Sequence, residues 1–165
     1  MFNLLGGRFC DILYHVNTET IRGFLLFFCI LFSPKSGLGY PLAFFKHRQL
    51  KLIEQLTQGP KRWRIALTSL AKAGHILTKN HIKYSIIIVA YGPGLKAFVM
   101  KYDKKYAGTI KTLNKEHIEI VACGKSMKES GVTPEMLFPF VKIAYPGILA
   151  YIAEKEEQGY AFLKP

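Results

Sequence analysis

Tyr84-Ser85-Ile86-Ile87-Ile88-Val89-Ala90 is a nearly continuous apolar run, rich in β-branched residues, and it stops abruptly at Gly92-Pro93-Gly94. A short run of this kind reads as a strand covered on both faces, as at the centre of a parallel sheet. The flanking segments fit that reading. Leu50 to Leu56 has the look of a short strand, and Gly59-Pro60 marks a turn with Pro60 suited to the first turn of a helix. Trp63, Ala66, Leu67, Leu70, Ala71 and Gly74 recur at helical spacing, which predicts a helix to about Thr78. After the central strand, Leu95 to Met100 is expected to begin a helix. A lysine-rich connection then leads to another helix near Lys104 to Asn114.

Ile118, Ile120, Val121 and Ala122 predict a second buried strand, ended by Cys123-Gly124. Lys125 to Ser130 reads as a short helical turn. Gly131 to Glu135 supplies a helix start, with Thr133 as N-cap and Pro134 at the first position. Phe140 to Ala144 is a further short strand, Gly147 to Gln158 a helix, and Tyr160 to Leu163 a last strand at an edge. Strands alternating with helices give an α/β domain with a mostly parallel sheet and helices on both faces. Ligands of such sheets gather at the carboxyl ends of the strands. The endings Tyr91-Gly92-Pro93-Gly94 and Cys123-Gly124 should therefore share one rim, provided both strands run parallel.

The chain has 165 residues, half of them hydrophobic, and a net charge of +12. A basic balance can suit nucleic acid, an anionic lipid surface or an acidic partner. The lysines are scattered one or two at a time, however, without the basic stripe and stacking aromatics that argue for nucleic-acid binding. The first 49 residues differ from the rest and are assigned to an N-terminal extension, with the domain at residues 50–165. Gly23 to Phe32 is uncharged and apolar, too short to span a bilayer but of signal-peptide length. Gly37 and Gly39 are small residues suited to a cleavage site, whereas Asp11 and Glu19 spoil the usual basic start. Three readings of residues 23–32 stand open: a cleaved signal, a membrane-associated anchor, or part of an extension that never folds with the domain. Localisation stays open with them, between cytoplasmic and exported or membrane-associated.

Cys10, Cys29 and Cys123 form no CxxC and no Cys/His pair with zinc spacing, so neither a metal nor an organic cofactor is expected. Cys123 is the candidate for chemistry. A strand delivers it to the rim, Gly124 removes side-chain cover, and a helix start follows. That position favours a thiolate, as do the charges of Lys125 and Lys128. The plainer alternative is a small buried hydrophobe at a strand end. Gly92, Gly94, Gly124 and Lys125 are candidate binding residues, because glycine lets backbone N–H groups approach an anion; a tight strand-to-helix turn would explain the first two equally. Gly124-Lys125-Ser126 is no phosphate loop, since Glu119 stands where that motif wants its first glycine. His75, His81 and His117 are spread over three elements and read as surface or half-buried side chains.

Four stretches occur in an order and spacing that carry a resemblance. They are Pro60-Lys61-Arg62-Trp63 with Ala66-Leu67, Val89 to Lys96, Val121 to Met127, and Gln158 to Pro165. Together, over about Leu50 to Pro165, they resemble the DsrE/DsrF-like family, in its intracellular sulfur oxidation (YchN-like) branch. The resemblance implies a five-stranded α/β fold, homo-oligomers, and a role in carrying sulfur as a cysteine persulfide between donor and acceptor proteins. In this branch the candidate thiol lies in the segment matched by Cys123. Better-studied sulfur-relay members carry theirs after the second strand, where Tyr91 to Tyr106 holds no cysteine. Tyr91 stands where relatives often show histidine, and Tyr145-Pro146-Gly147 where they often have a Ser-Gly pair. A non-catalytic oligomeric module binding a small anion or a partner protein is the alternative function.

Overall fold

The computed structural model describes residues 40–102 and 105–164. In chain order the elements are α1 (Tyr40–Phe44), β1 (Leu50–Leu56), α2 (Pro60–Lys79), β2 (Tyr84–Ala90), α3 (Ala107–Lys115), β3 (Glu119–Cys123), α4 (Gly124–Ser130), β4 (Lys142–Ala144), α5 (Ile148–Glu157) and β5 (Ala161–Leu163). The strands form one sheet in the order β4-β3-β2-β1-β5. Every pairing is parallel. The three longest strands are central, and the three-residue β4 and β5 form the edges. The expected fold class, a five-stranded α/β domain with helices on both faces, is what the chain adopts.

The apolar run of β2 is continuous because both its faces are buried. Ile86, Ile88 and Ala90 lie in one core with Leu56, Ile120 and Ala122, under Trp63, Leu67 and Leu70 of α2, Ile110 and Leu113 of α3, and Met127 of α4. Ile87 and Val89 lie in a second core with Ile53, Val121 and Cys123, under Ile148 and Ile152 of α5. Alternation along the strand thus assigns each residue to a face. Cys123 belongs to the α5 side.

The boundaries expected for β1, α2 and β2 agree with the structure to within a residue. Two expected helices do not form as such. Gly92–Phe98 is a 3-10 segment, and Leu95, Ala97 and Phe98 are all fully buried. The segment enters the core instead of lying on it as an amphipathic helix would. Beyond it, Val99 bridges Leu137 antiparallel, the Met100 N–H donates to the Met136 carbonyl at 2.9 Å, and the Phe138 N–H donates to the Phe98 carbonyl at 3.3 Å. The same pairing explains the second difference. The helix start at Thr133-Pro134 yields one 3-10 turn, Pro134–Met136, because Leu137 and Phe138 turn away to join that ladder.

The described residues from Tyr40 onward belong to one compact unit. Leu42 and Phe45, placed in the extension by the sequence reading, pack against the core that includes Leu56 and Leu70. The expectations for residues 23–32 lie outside the described residues. Among the described residues, no helix is long and apolar enough to cross a membrane.

Gly94 fixes where the 3-10 segment meets the sheet. A Cβ on it would fall inside the van der Waals radii of the Leu56 carbonyl group and the Thr57 nitrogen. Those are backbone atoms and cannot move aside. Gly94→Ala is expected to destabilise the protein by about 3 kcal/mol or more. Gly108, on α3 with open space around its Cβ position, provides the contrast. Gly108→Ala should be neutral or stabilise by up to about 1 kcal/mol. Urea unfolding of the two variants beside the parent measures both effects.

Glu54 is 4 % exposed, and burial raises its pKa from 4.5 to about 7. The folded state therefore favours the neutral acid, whereas the unfolded chain ionises near 4.5. Below pH 4.5 the group is protonated in both states and contributes nothing. From there the unfolded chain binds fewer protons than the folded one, so stability falls as pH rises to about 7, by on the order of 3 kcal/mol. The difference between the stability–pH curves of the parent and Glu54→Gln isolates this contribution. Parallel curves across pH 4.5–7 would refute it.

Candidate functional site

β2 and β3 run parallel in the register Ala90 to Ala122. Their ends, Tyr91-Gly92-Pro93-Gly94 and Cys123-Gly124, accordingly lie side by side on one rim. Cys123 closes β3 and is the N-cap of α4, in extended conformation with φ −77° and ψ 115°. This geometry turns the first N–H groups of α4 back toward its own sulfur. The backbone N–H groups of Lys125 and Ser126 and the Ser126 hydroxyl stand near Sγ and favour its anion, although the thiol itself makes no side-chain cap hydrogen bond. A further donor comes from across the sheet. The chain leaves β4 through Tyr145-Pro146, joined by a cis peptide bond, and enters α5 at Ile148, whose N–H also reaches Sγ.

These donors set the state of the thiol. Burial alone would raise its pKa, since Cys123 is 5 % exposed. The Ser126 backbone and hydroxyl, then Ile148 and Lys125, outweigh burial and lower it below the ordinary thiol value. Hydrogen bonds to the charged form favour that form. The sequence reading credited the ammonium groups of Lys125 and Lys128, but neither is among the causes. The Lys125 side chain is largely exposed and lies 3.9 Å from Glu129. Lys125 serves the thiol through its backbone.

Ser126 was not singled out from the sequence. Its hydroxyl accepts a hydrogen bond from the Gly92 N–H at 3.2 Å, which leaves its own hydrogen for Sγ. Gly92 is left-handed, with φ +52°, and that conformation aims its N–H across the rim. The four candidate binding residues thus take different parts. Gly92 orients Ser126, and Lys125 donates to the sulfur. Gly94 allows close approach to β1. Gly124 makes room for Tyr145, whose ring atoms would stand 2.5 and 2.6 Å from a Cβ there.

The α5 donor is held by a polar knot at the far end of β3. Glu119 accepts a hydrogen bond from the Tyr151 hydroxyl at 2.8 Å and pairs with Lys142 at 3.0 Å, tying α5, β3 and β4 together. Burial, and then the Glu119 hydrogen bond, keep the Tyr151 proton well above the usual tyrosine range. Among the described residues, no three His, Cys, Asp or Glu side chains come together as metal ligands would. A cavity of about 480 Å³ at the C-terminal end of α4, lined by Lys96, Tyr102, Gly131 and Met136 among others, does not include Cys123.

A family model, that of the DsrE/DsrF-like family, matches residues 56–165 and so includes this whole rim. The chain belongs to the DsrE/DsrF-like family. It is thereby placed in a family connected with sulfur relay. Solved structures share the fold. MTH1491 of Methanobacterium thermoautotrophicum, a protein of unknown function, is 18% identical with a TM-score of 0.59, covering 70% of this chain and 99% of its own. BT1422 of Bacteroides thetaiotaomicron, also of unknown function, is 18% identical with a TM-score of 0.56, covering 70% and 94%. The ychN protein of E. coli is 12% identical with a TM-score of 0.52, covering 70% and 99%. No curated protein sequence matches.

The cause of the lowered thiol pKa can be tested directly. Ser126→Ala removes the side-chain donor to the thiolate, so the alkylation midpoint of Cys123 should move to higher pH. Its rate at neutral pH should fall on the order of tenfold, the worth of one hydrogen bond to a charged group. Lys125→Ala keeps the backbone N–H and should leave both within about twofold. Iodoacetamide rates across pH measure this, and a larger effect from Lys125→Ala would reverse the assignment.

Proposed function

We propose that this DsrE/DsrF-like protein carries sulfane sulfur as a persulfide on Cys123, between donor and acceptor proteins. The observation supporting this is the set of donors from two helix starts and Ser126 that converge on one sulfur and favour its anion. The thiolate is the nucleophilic form of cysteine. In the loading step it attacks the terminal sulfur of a donor persulfide, R–S–SH. The Cys123 S–S bond forms and the donor S–S bond breaks. The electron pair of that bond leaves on the donor sulfur, which takes up the proton, giving Cys123–S–S⁻ and R–SH. The sulfane sulfur changes owner without net oxidation, so the step calls on no metal or organic cofactor. Transfer to an acceptor thiol is the same step in reverse. Tyr145 and Leu149, 70 % and 78 % exposed, flank the site and offer apolar surface to a donor, an acceptor or a second copy of the chain.

A non-catalytic binding module is the second reading, and the burial of Cys123 favours it: a 5 % exposed thiol is poorly placed for exchange with large partners. Intact-mass spectrometry after exposure to inorganic polysulfide separates the two. A gain of about 32 Da that is reversed by reductant and lost in Cys123→Ser is expected of the carrier. No gain, together with slow alkylation at neutral pH, would leave the binding module.

A further inference from the structure

The register that builds the rim also places a second side chain beside the thiol. Val89 pairs with Val121 and Ala90 with Ala122, so the next residues along the two strands are Tyr91 and Cys123. Both lie on the α5 side of the sheet, and Tyr91 packs against the cluster that contains Cys123. Among the described residues the Tyr91 hydroxyl has no hydrogen-bond partner. It is near enough to sense the Cys123 charge but is not among the donors to Sγ.

Loading moves the charge. In the free thiolate it sits on Sγ, where the Lys125, Ser126 and Ile148 donors meet it. In the persulfide it sits on the outer sulfur, about 2.05 Å farther out. Donors aimed at Sγ no longer face it squarely. A donor on the same face of the sheet, beside the sulfur but not among the groups that meet Sγ, suits the loaded form.

We propose that the Tyr91 hydroxyl donates a hydrogen bond to the outer sulfur of the persulfide on Cys123. This rests on the carrier reading above. Burial, and then the Cys123 charge, raise the Tyr91 pKa above the ordinary tyrosine value, so the phenol keeps its proton throughout the neutral range. Tyr91 therefore acts as a donor and not as a base. The loaded site selects an anionic sulfur, and a neutral alkyl disulfide on Cys123 gains nothing from it.

Tyr91→Phe keeps the ring and removes the hydroxyl, and a thermal melt checks that the fold is unchanged. Parent and variant are loaded with inorganic polysulfide, and alkylation of the persulfide is followed across pH by intact mass. The unloaded thiol is followed in the same way. In the variant the persulfide midpoint should move to higher pH, with the rate at the parent's midpoint falling about fivefold. Alkylation of the unloaded thiol should stay within about twofold. Equal effects on thiol and persulfide, or none on either, overturn the assignment while loading of the parent leaves the carrier reading in place. If the parent takes up no sulfur, both fall together.

Discussion

Ala90 and Ala122 face each other at the ends of the two central strands, and both are fully buried. They share one core with Phe98 and Met127. The constraint reaches well beyond packing. With β2 and β3 held in this register, Tyr91 and Cys123 must emerge side by side. Gly92 must stand across from the first turn of α4, and Ser126 must come within reach of both the Gly92 N–H and the sulfur. A one-residue slip would turn Cys123 to the opposite face, away from α5 and its Ile148 donor. The site is thus a consequence of strand pairing, with the loops only finishing what the register begins.

How the thiolate is held follows from the same economy of parts. A lysine on an exposed surface is screened by water and pays side-chain entropy to hold a position, so its effect on a neighbouring thiol is small. Backbone N–H groups at the start of a helix are already fixed and lack intrahelical partners. Two such starts meet at Cys123: α4 because Cys123 is its own N-cap, and α5 because the chain returns over the sheet after β4. The Glu119–Tyr151–Lys142 knot keeps that second start in place. Burial, which taken alone would neutralise the sulfur, instead shelters these donors from water, where each is electrostatically stronger.

Most of the fold was legible in the sequence, for a definite reason. Tyr84 to Ala90 is apolar on both faces, and α2 carries its buried residues at helical spacing, so each pattern has one simple solution. The helices expected to begin at Leu95 to Met100 and at Gly131 to Glu135 do not form because long-range pairing between Phe98–Met100 and Met136–Phe138 decides them, and no local period reports it. The candidate site divides in the same way. Cys123 and its place on the rim could be read from a strand ending in Cys-Gly. The Ile148 donor lies 25 residues away in the chain and the role of Ser126 depends on Gly92, so neither could be found before the strands were set side by side. Tyr91 was noted in the sequence for what it replaces, and its relation to Cys123 became visible with the register.

The glycines of the rim illustrate why function is harder to read than fold. From sequence, Gly92, Gly94 and Gly124 all suggest backbone approaching an anion. In the structure Gly94 is pressed against Leu56 and Thr57, and Gly124 lies beneath the Tyr145 ring. Gly92 alone of the three sends its N–H toward the thiol site, and then through Ser126. A glycine-rich rim can therefore serve a thiolate without forming a cradle for a separate ligand. The sulfur of Cys123 is itself the group whose anion these elements favour. In the proposed carrier, the chemistry is governed by where the negative charge goes next, from Sγ to the outer sulfur of the persulfide.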